Sequence, residues 1–256
     1  MSHRFLEVGE KKSAKRALRN AIWNKMLDLK IALPPMPIHG RIPNFLGARE
    51  AASKLFSEPE WRKASVVKVN PDSPQRWVRL RALEEGKTLL MPTPRIREGF
   101  VVLEPRFIPA HLYERASTIK GAFELGRVLR RVDELSRAVP SVDLIVEGSV
   151  VVNTYGERLG KGEGYGELEY AILLELGIID PDVPIATTVH DVQVIDSRIP
   201  QEVYDVPIDL ICTPTRVIRV RERGPRPPGV LWELLDEEKL ESIPILRELK
   251  SRRAVS

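Results

Sequence analysis

The feature that most constrains this chain is an apolar, strand-like run that leads into a glycine-dense turn and then into a helix. VDLIVEGSVVV (142–152) has the composition of a buried strand. It leads into YGERLGKGEGYGELEY (155–170), where Gly160, Gly162 and Gly164 alternate with Lys161 and Glu163, and Tyr165 follows. Glycines at this density let the backbone approach a ligand closely, and successive N–H groups can converge on phosphate oxygens. A helix starting near Gly166, with Glu167 and Glu169 in its opening turns, aims the positive end of its dipole at the same point. That geometry suits a nucleoside triphosphate. The spacing matches neither the P-loop, which ends in Gly-Lys-Ser/Thr, nor G-x-G-x-x-G. On spacing alone, a plain strand-to-helix turn is an equally good reading.

The rest of the chain extends the pattern. Ser13 is a candidate N-cap for a helix reaching about Leu33, with Leu18, Ile22, Met26 and Leu29 at helical spacing and Pro34-Pro35 as its stop. Residues 36–47 read as irregular linker and 48–56 as a second helix. SVVKV (65–69), TLLMP (88–92) and GFVVLEP (99–105) read as strands, and QRWVRLRALEEG (75–86) as a helix closed by glycine. The segment 110–138 reads as largely helical, broken near Gly121 and Gly126. Residues 184–195 and 208–214 add strands, with 217–221 as an edge. This alternation predicts an α/β fold: a three-layer, open, mostly parallel sheet with helices on both faces, Rossmann-like. Ligands of such sheets bind beyond the carboxyl ends of the strands, where the glycine turn falls. The expected organisation is a single domain over 1–256, with residues 1–40 as N-terminal helix and Pro-rich linker. Residues 224–256 form a C-terminal extension.

Composition narrows the class. Hydrophobic residues make up 43% of the chain, enough for a sizeable core. Forty basic against 36 acidic residues leave a net charge of +4, too small an excess to argue for a polyanion partner. Cys212 is the single cysteine, which excludes an internal disulfide framework and a cysteine-based zinc site. The charged N-terminus lacks a signal-peptide core and no apolar run reaches spanning length, so a cytoplasmic location and no membrane partner are expected. The scarcity of Gln and Asn beside the charged residues hints at a thermophilic source.

GERLGKGEGYGELEY resembles the glycine-rich loop of the 5-formyltetrahydrofolate cyclo-ligase (methenyltetrahydrofolate synthetase) family, and SAKRALR (13–19) resembles its N-terminal phosphate-contacting element. The likeness runs from about Ser13 to Leu249. It is nearest to the methenyltetrahydrofolate synthase domain-containing subgroup, through GKGEGY, LEYA, VHDVQV, TPTRVI and IPILR. Animal members carry an additional RNA-recognition module that this sequence does not show. The resemblance implies an ATP- and Mg²⁺-dependent ligase of folate one-carbon metabolism that converts 5-formyltetrahydrofolate to 5,10-methenyltetrahydrofolate.

Site residues follow from the same resemblance. Lys15, Arg19, Arg158, Gly160, Lys161, Gly162, Glu163, Gly164 and Tyr165 would bind the nucleotide, with Lys161 and Tyr165 also in catalytic roles. Glu167 and Asp205 would hold the metal, although Gly166 replaces the family's second tyrosine and an acid in a helix's first turn is favoured by the dipole alone. Asp72, within NPDSPQ, is the survivor of the family's folate-contacting acids, and His190 and Gln193 join it as substrate-side candidates. The partner is then a small molecule, a reduced folate or related pterin. Two alternatives stay open: a nucleotide-binding protein on the same fold that has lost the activity, and an RNA-associated protein using Arg216, Arg219, Arg221 and Arg223. That strip also reads as an edge strand kept soluble by charge, and it lacks the aromatic interleaving of single-strand binders.

Overall fold

The computed structural model describes residues 2–254, with side chains described from residue 9; Met1, Val255 and Ser256 lie outside the described residues. Helix α1 (Ser2–Asp28) leads into a short antiparallel hairpin, β1 (Ala32–Leu33) and β2 (Asn44–Phe45). The helix starts well before Ser13, so that residue is interior to it and not its cap. It also stops short of Leu33, because Lys30 turns the chain at a positive φ of 56°.

The central sheet has eight strands: β3 (Val66–Val69), β4 (Thr88–Pro92), β5 (Phe100–Leu103), β6 (Arg127–Leu129), β7 (Leu144–Glu147), β10 (Ile185–Thr188), β12 (Leu210–Cys212) and β13 (Val217–Arg219). Their spatial order is β13-β12-β10-β7-β3-β4-β5-β6. The inner run from β12 to β4 is parallel, whereas β13, β5 and β6 close the two edges antiparallel. The mostly parallel α/β sheet expected from the sequence is therefore present. Strand β6 was not expected: three residues between Gly126 and the next helix are too short to show a period of two.

Side chains on each strand alternate between two cores, as the pleat requires. Ile145, Leu90, Ile185 and Ile211 face a cluster formed with α7 (Val132–Ala138), α8 (Tyr165–Glu175) and α10 (Pro244–Arg253). Leu144, Val146, Leu89, Ala186 and Leu210 face the opposite cluster, formed with α2 (Ala48–Phe56), α3 (Pro59–Lys63), α4 (Arg76–Glu84), α5 (Tyr113–Ala116) and α6 (Ile119–Leu125). Two cores against one sheet make three layers.

The run 142–152 is not one strand. Strand β7 stops at Glu147, and at the next residue, Gly148, a Cβ would stand 3.0 Å from Asp72 Oδ2 and 3.1 Å from Gln75 Oε1. Beyond it, β8 (Val151–Asn153) pairs with β9 (Arg158–Leu159) and with β11 (Val194–Ile195) in a separate three-stranded sheet. A third apolar cluster joins Ile22, Trp23 and Met26 of α1 to Phe45, Val151 and Leu159. This packing clamps the first helix beside the hairpin that carries the glycine turn. Helix α9 (Glu237–Ser242) precedes α10, so the tail forms two helices where one was expected. Among the described residues no helix is long and apolar enough to cross a membrane.

Candidate functional site

The glycine turn sits beyond the carboxyl end of β7, between β9 and α8, and remains open to solvent at Lys161 and Gly162. Gly162 has φ 105° and Gly164 has φ 74°, conformations that glycine adopts without a Cβ penalty. Gly164 is also the N-cap of α8, and no side chain caps that helix. Gly164 has no side chain to accept from the first-turn N–H groups, and although the Glu167 carboxylate takes up its own amide, the positive end of the helix still favours an anion.

The structure brings the first helix onto this turn. Arg19 Nε donates to the Gly160 carbonyl at 2.7 Å, and its guanidinium carbon lies 3.3 Å from where a Gly162 Cβ would be. Burial, the largest influence, lowers the pKa of Arg19, although Glu167 and Asp205 oppose it. Lys15, one turn earlier, donates to Asp205 Oδ2 at 2.5 Å in a buried pair. Burial raises the Asp205 carboxyl, while Lys15 and the Glu202 amide pull it back without cancelling the rise.

Arg158 is buried beneath the turn. Its Nη1 donates to Glu167 Oε1 at 2.5 Å, its Nη2 faces Glu147 Oε2 at 3.4 Å, and both Nε and Nη2 reach the Gly148 carbonyl. Burial pushes the Glu167 carboxyl up, but Arg158, a backbone amide and Lys15 together hold it below its ordinary value. Lys161 is exposed and pairs with Glu163 at 3.1 Å, and Arg95 reaches the other oxygen of Glu163 at 3.1 Å. Tyr165 is half-buried against the core, with the Lys239 ammonium 5.5 Å from its ring centre.

Behind this rim lies a charged floor that the sequence reading did not single out. Lys68 is fully buried, 2.6 Å from Glu147 Oε1 and 2.5 Å from Glu169 Oε2. Asn70 donates to Glu169 at 3.2 Å and accepts from the Gly148 amide at 3.3 Å. Burial, with the neighbouring Glu147 and Asp72 charges, lifts Glu169 to about 7 in spite of Lys68. Burial would lower Lys68, but the two glutamates outweigh it and raise its pKa. One signal was available: Lys68 and Glu147 are the single charges in the otherwise apolar strands VVKV and LIVE. A charge is seldom carried into a core without a partner.

Asp72 lies at the front of the floor, half-buried, and burial raises its carboxyl while the nearby Lys161 charge opposes the shift. Arg79 fixes this loop by donating to the Asn70 and Asp72 carbonyls at 2.5 and 2.9 Å. Beside it, Gln75 donates to Thr188 but leaves its buried Oε1 without a partner among the described residues. Such an unsatisfied acceptor is uncommon and marks a place for a donor.

His190 and Gln193 are occupied locally. His190 Nδ1 accepts from the Val192 amide at 3.2 Å, and its ring stands edge-on to Phe45. Gln193 accepts from the His190 amide and donates to the Ser149 and Val150 carbonyls. The pair stitches the end of β10 to the back of the floor. On the arginine strip, Arg219 is paired with Glu58 and Glu60, Arg223 with Asp209 and Asp182, and Arg216 more loosely with Asp191 at 3.7 Å. Among the described residues no group of three or more His, Cys, Asp or Glu side chains is arranged to hold a metal ion.

Fold and site together define an α/β protein with a cation-ringed glycine turn at the carboxyl ends of its parallel strands. Residues 11–214 match the 5-formyltetrahydrofolate cyclo-ligase family, and the chain belongs to that family. The methenyltetrahydrofolate synthase domain-containing protein of Mus musculus is 41% identical over 244 residues, covering 93% of this chain and 64% of the relative. Its Homo sapiens counterpart is 40% identical over 244 residues, covering 93% and 62%. The chain thus spans less than two thirds of the length of these relatives. The solved structure of Aquifex aeolicus 5,10-methenyltetrahydrofolate synthetase aligns with a TM-score of 0.50 at 21% identity, over 82% of this chain and 94% of that one; it shares the fold.

Proposed function

We propose that this chain is an ATP-dependent cyclo-ligase that closes 5-formyltetrahydrofolate to 5,10-methenyltetrahydrofolate. The observation that carries the reading is the contact between Arg19 and Gly160, since two motifs 141 residues apart meet at one turn. Family membership supplies the reaction class. The formyl oxygen attacks the γ-phosphorus of ATP, the bond to ADP breaks, and the N10 amine then attacks the activated carbon as phosphate leaves. Little covalent chemistry falls to the protein, so positioning and charge compensation dominate.

The residues divide accordingly. The N–H groups of the 160–166 turn and the free end of α8 cradle phosphate oxygens, with Arg19 and Lys161 as the cations that face them. Tyr165 lines the entrance. Lys15 and Arg158 act one step back, holding Asp205 and Glu167 in place. For Mg²⁺ the donor chemistry fits: two hard carboxylates flank the turn, and such an ion needs only one or two besides the phosphates. When bound it would neutralise charge on the transferring phosphoryl group. Lys15 and the Glu202 amide both use Oδ2 of Asp205, which leaves Oδ1 as the oxygen for the ion. On the substrate side, the Asp72 carboxyl and the unpartnered Gln75 Oε1 are acceptors that suit a heterocycle presenting donors.

A spectrophotometric assay for methenyl product, with ATP and Mg²⁺ supplied, tests the reading. Product that forms only with ATP supports it. No product, together with stabilisation by ATP, favours a nucleotide-binding protein without turnover. The floor supports that second reading: Lys68, Glu147 and Glu169 fill it with an ion network already satisfied within the chain.

A further inference from the structure

The family match ends at Pro214, yet the chain continues through β13, α9 and α10 and packs this tail back against the core. Ile243, Ile245 and Leu246 are fully buried and Leu249 nearly so, in the same cluster as Leu168 and Tyr170 of α8. Glu248 accepts from the Val132 amide, which fixes α10 to the start of α7. The tail is therefore held rigidly beside the helix whose N-terminus borders the glycine turn. Asp236 caps α9 by accepting from the Lys239 amide at 2.7 Å, so the backbone that carries Lys239 is fixed as well.

The Lys239 ammonium lies 3.6 Å from where a Gly164 Cβ would be, over the residue that caps α8. It also sits above the Tyr165 ring, 5.5 Å from its centre. Its carboxylate partner is Asp236 at 3.2 Å, one turn away on the same helix and more than half exposed. Exposed pairs of this kind contribute little and are readily exchanged. Lys15 and Arg158, by contrast, are locked into buried carboxylates. Lys239 thus combines a rigid mount, an exchangeable partner and a position at the uncapped end of α8.

We propose that the C-terminal segment outside the family match completes the nucleotide site, with Lys239 binding the phosphate tail beside Gly164 as Arg19 does beside Gly162. This rests on the nucleotide reading given above. Lys239 is then a ligand-contacting residue that the family motifs do not contain, and the tail is a working part of the site.

The test is calorimetric binding of ATP, ADP and adenosine to the full chain and to Lys239→Ala, Lys239→Arg and Lys161→Ala. Lys239→Ala should bind ATP about tenfold more weakly, the scale of one charge-assisted hydrogen bond. Adenosine affinity should be unchanged, Lys239→Arg should restore most of the loss, and the melting temperature without ligand should stay at the parent value. Parental ATP affinity in Lys239→Ala, alongside a loss in Lys161→Ala, would overturn the role of Lys239 and leave the glycine-turn site standing. An equal loss for adenosine and ATP would also overturn it, because the effect would then not be on phosphate. Absence of ATP binding by the parent chain would overturn both.

Discussion

The rim of the glycine turn and the floor behind it contain the same kinds of side chain in opposite circumstances. On the rim, Lys161, Arg95 and Lys239 pair with partly exposed carboxylates that solvent or a ligand can replace. On the floor, Lys68 and Arg158 are enclosed with Glu147, Glu169 and Glu167 and share several short contacts. Ion pairing in water is weak and exchangeable, whereas a buried pair resists separation because either partner alone would be an uncompensated charge. One half of the site therefore keeps exchangeable charges and the other holds shape. Arg19 lies between them, half-buried and bonded to the turn's own backbone.

The sharpest way to break this contrast is Lys68→Met, which strands Glu169 in the interior and leaves Glu147 with only Arg158 at 3.4 Å. Loss of one partner of a buried pair costs about 3–5 kcal/mol, so the midpoint in urea should fall steeply. A midpoint near that of the parent would mean the floor is not rigidly charged. Next comes Glu169→Gln. Glu169 titrates near 7 in the fold against an ordinary 4.5, so the native state binds the extra proton between those values. Its contribution to stability is complete below 4.5 and is lost as pH rises through 7, on the order of 3 kcal/mol at the upper end. The variant, fixed as neutral, should gain on the parent as pH climbs through that window, and denaturation at several pH values would reveal a flat difference if the assignment is wrong.

Rim changes should be smaller for the fold and larger for the ligand. Gly162→Val forces a β-branched residue to φ 105° against the Arg19 guanidinium. Strain of about 1–3 kcal/mol should open the turn and weaken ATP binding correspondingly, as titration calorimetry would detect. Undiminished binding would contradict the phosphate cradle. Lys161→Ala is the mildest: about 1 kcal/mol of ATP affinity and little change in melting temperature, because the exposed pair with Glu163 is lost and only the charge facing Asp72 goes with it.

Legibility in the sequence followed the range of the interactions. The alternation of β3, α4 and β4 and the start of α8 could be read because hydrophobic period and glycine punctuation act over a few residues. Strand β6 escaped for want of length, and the fused reading of 142–152 missed the break between Glu147 and Val151. Within that break Gly148 packs closely against Asp72 and Gln75, which lie more than seventy residues away. The meeting of the first helix and the turn was legible only because both motifs resemble those of one family. Nothing local linked Lys239 to Gly164.

By itself the sequence determined the layered architecture, the glycine turn at a strand's end and the family, since each rests on residues near one another or on motifs in fixed order. The tertiary structure alone decided which charges are spent and which are free. Burial and pairing depend on strands and helices distant along the chain, and only their packing sets the dielectric and the partners that each charge meets.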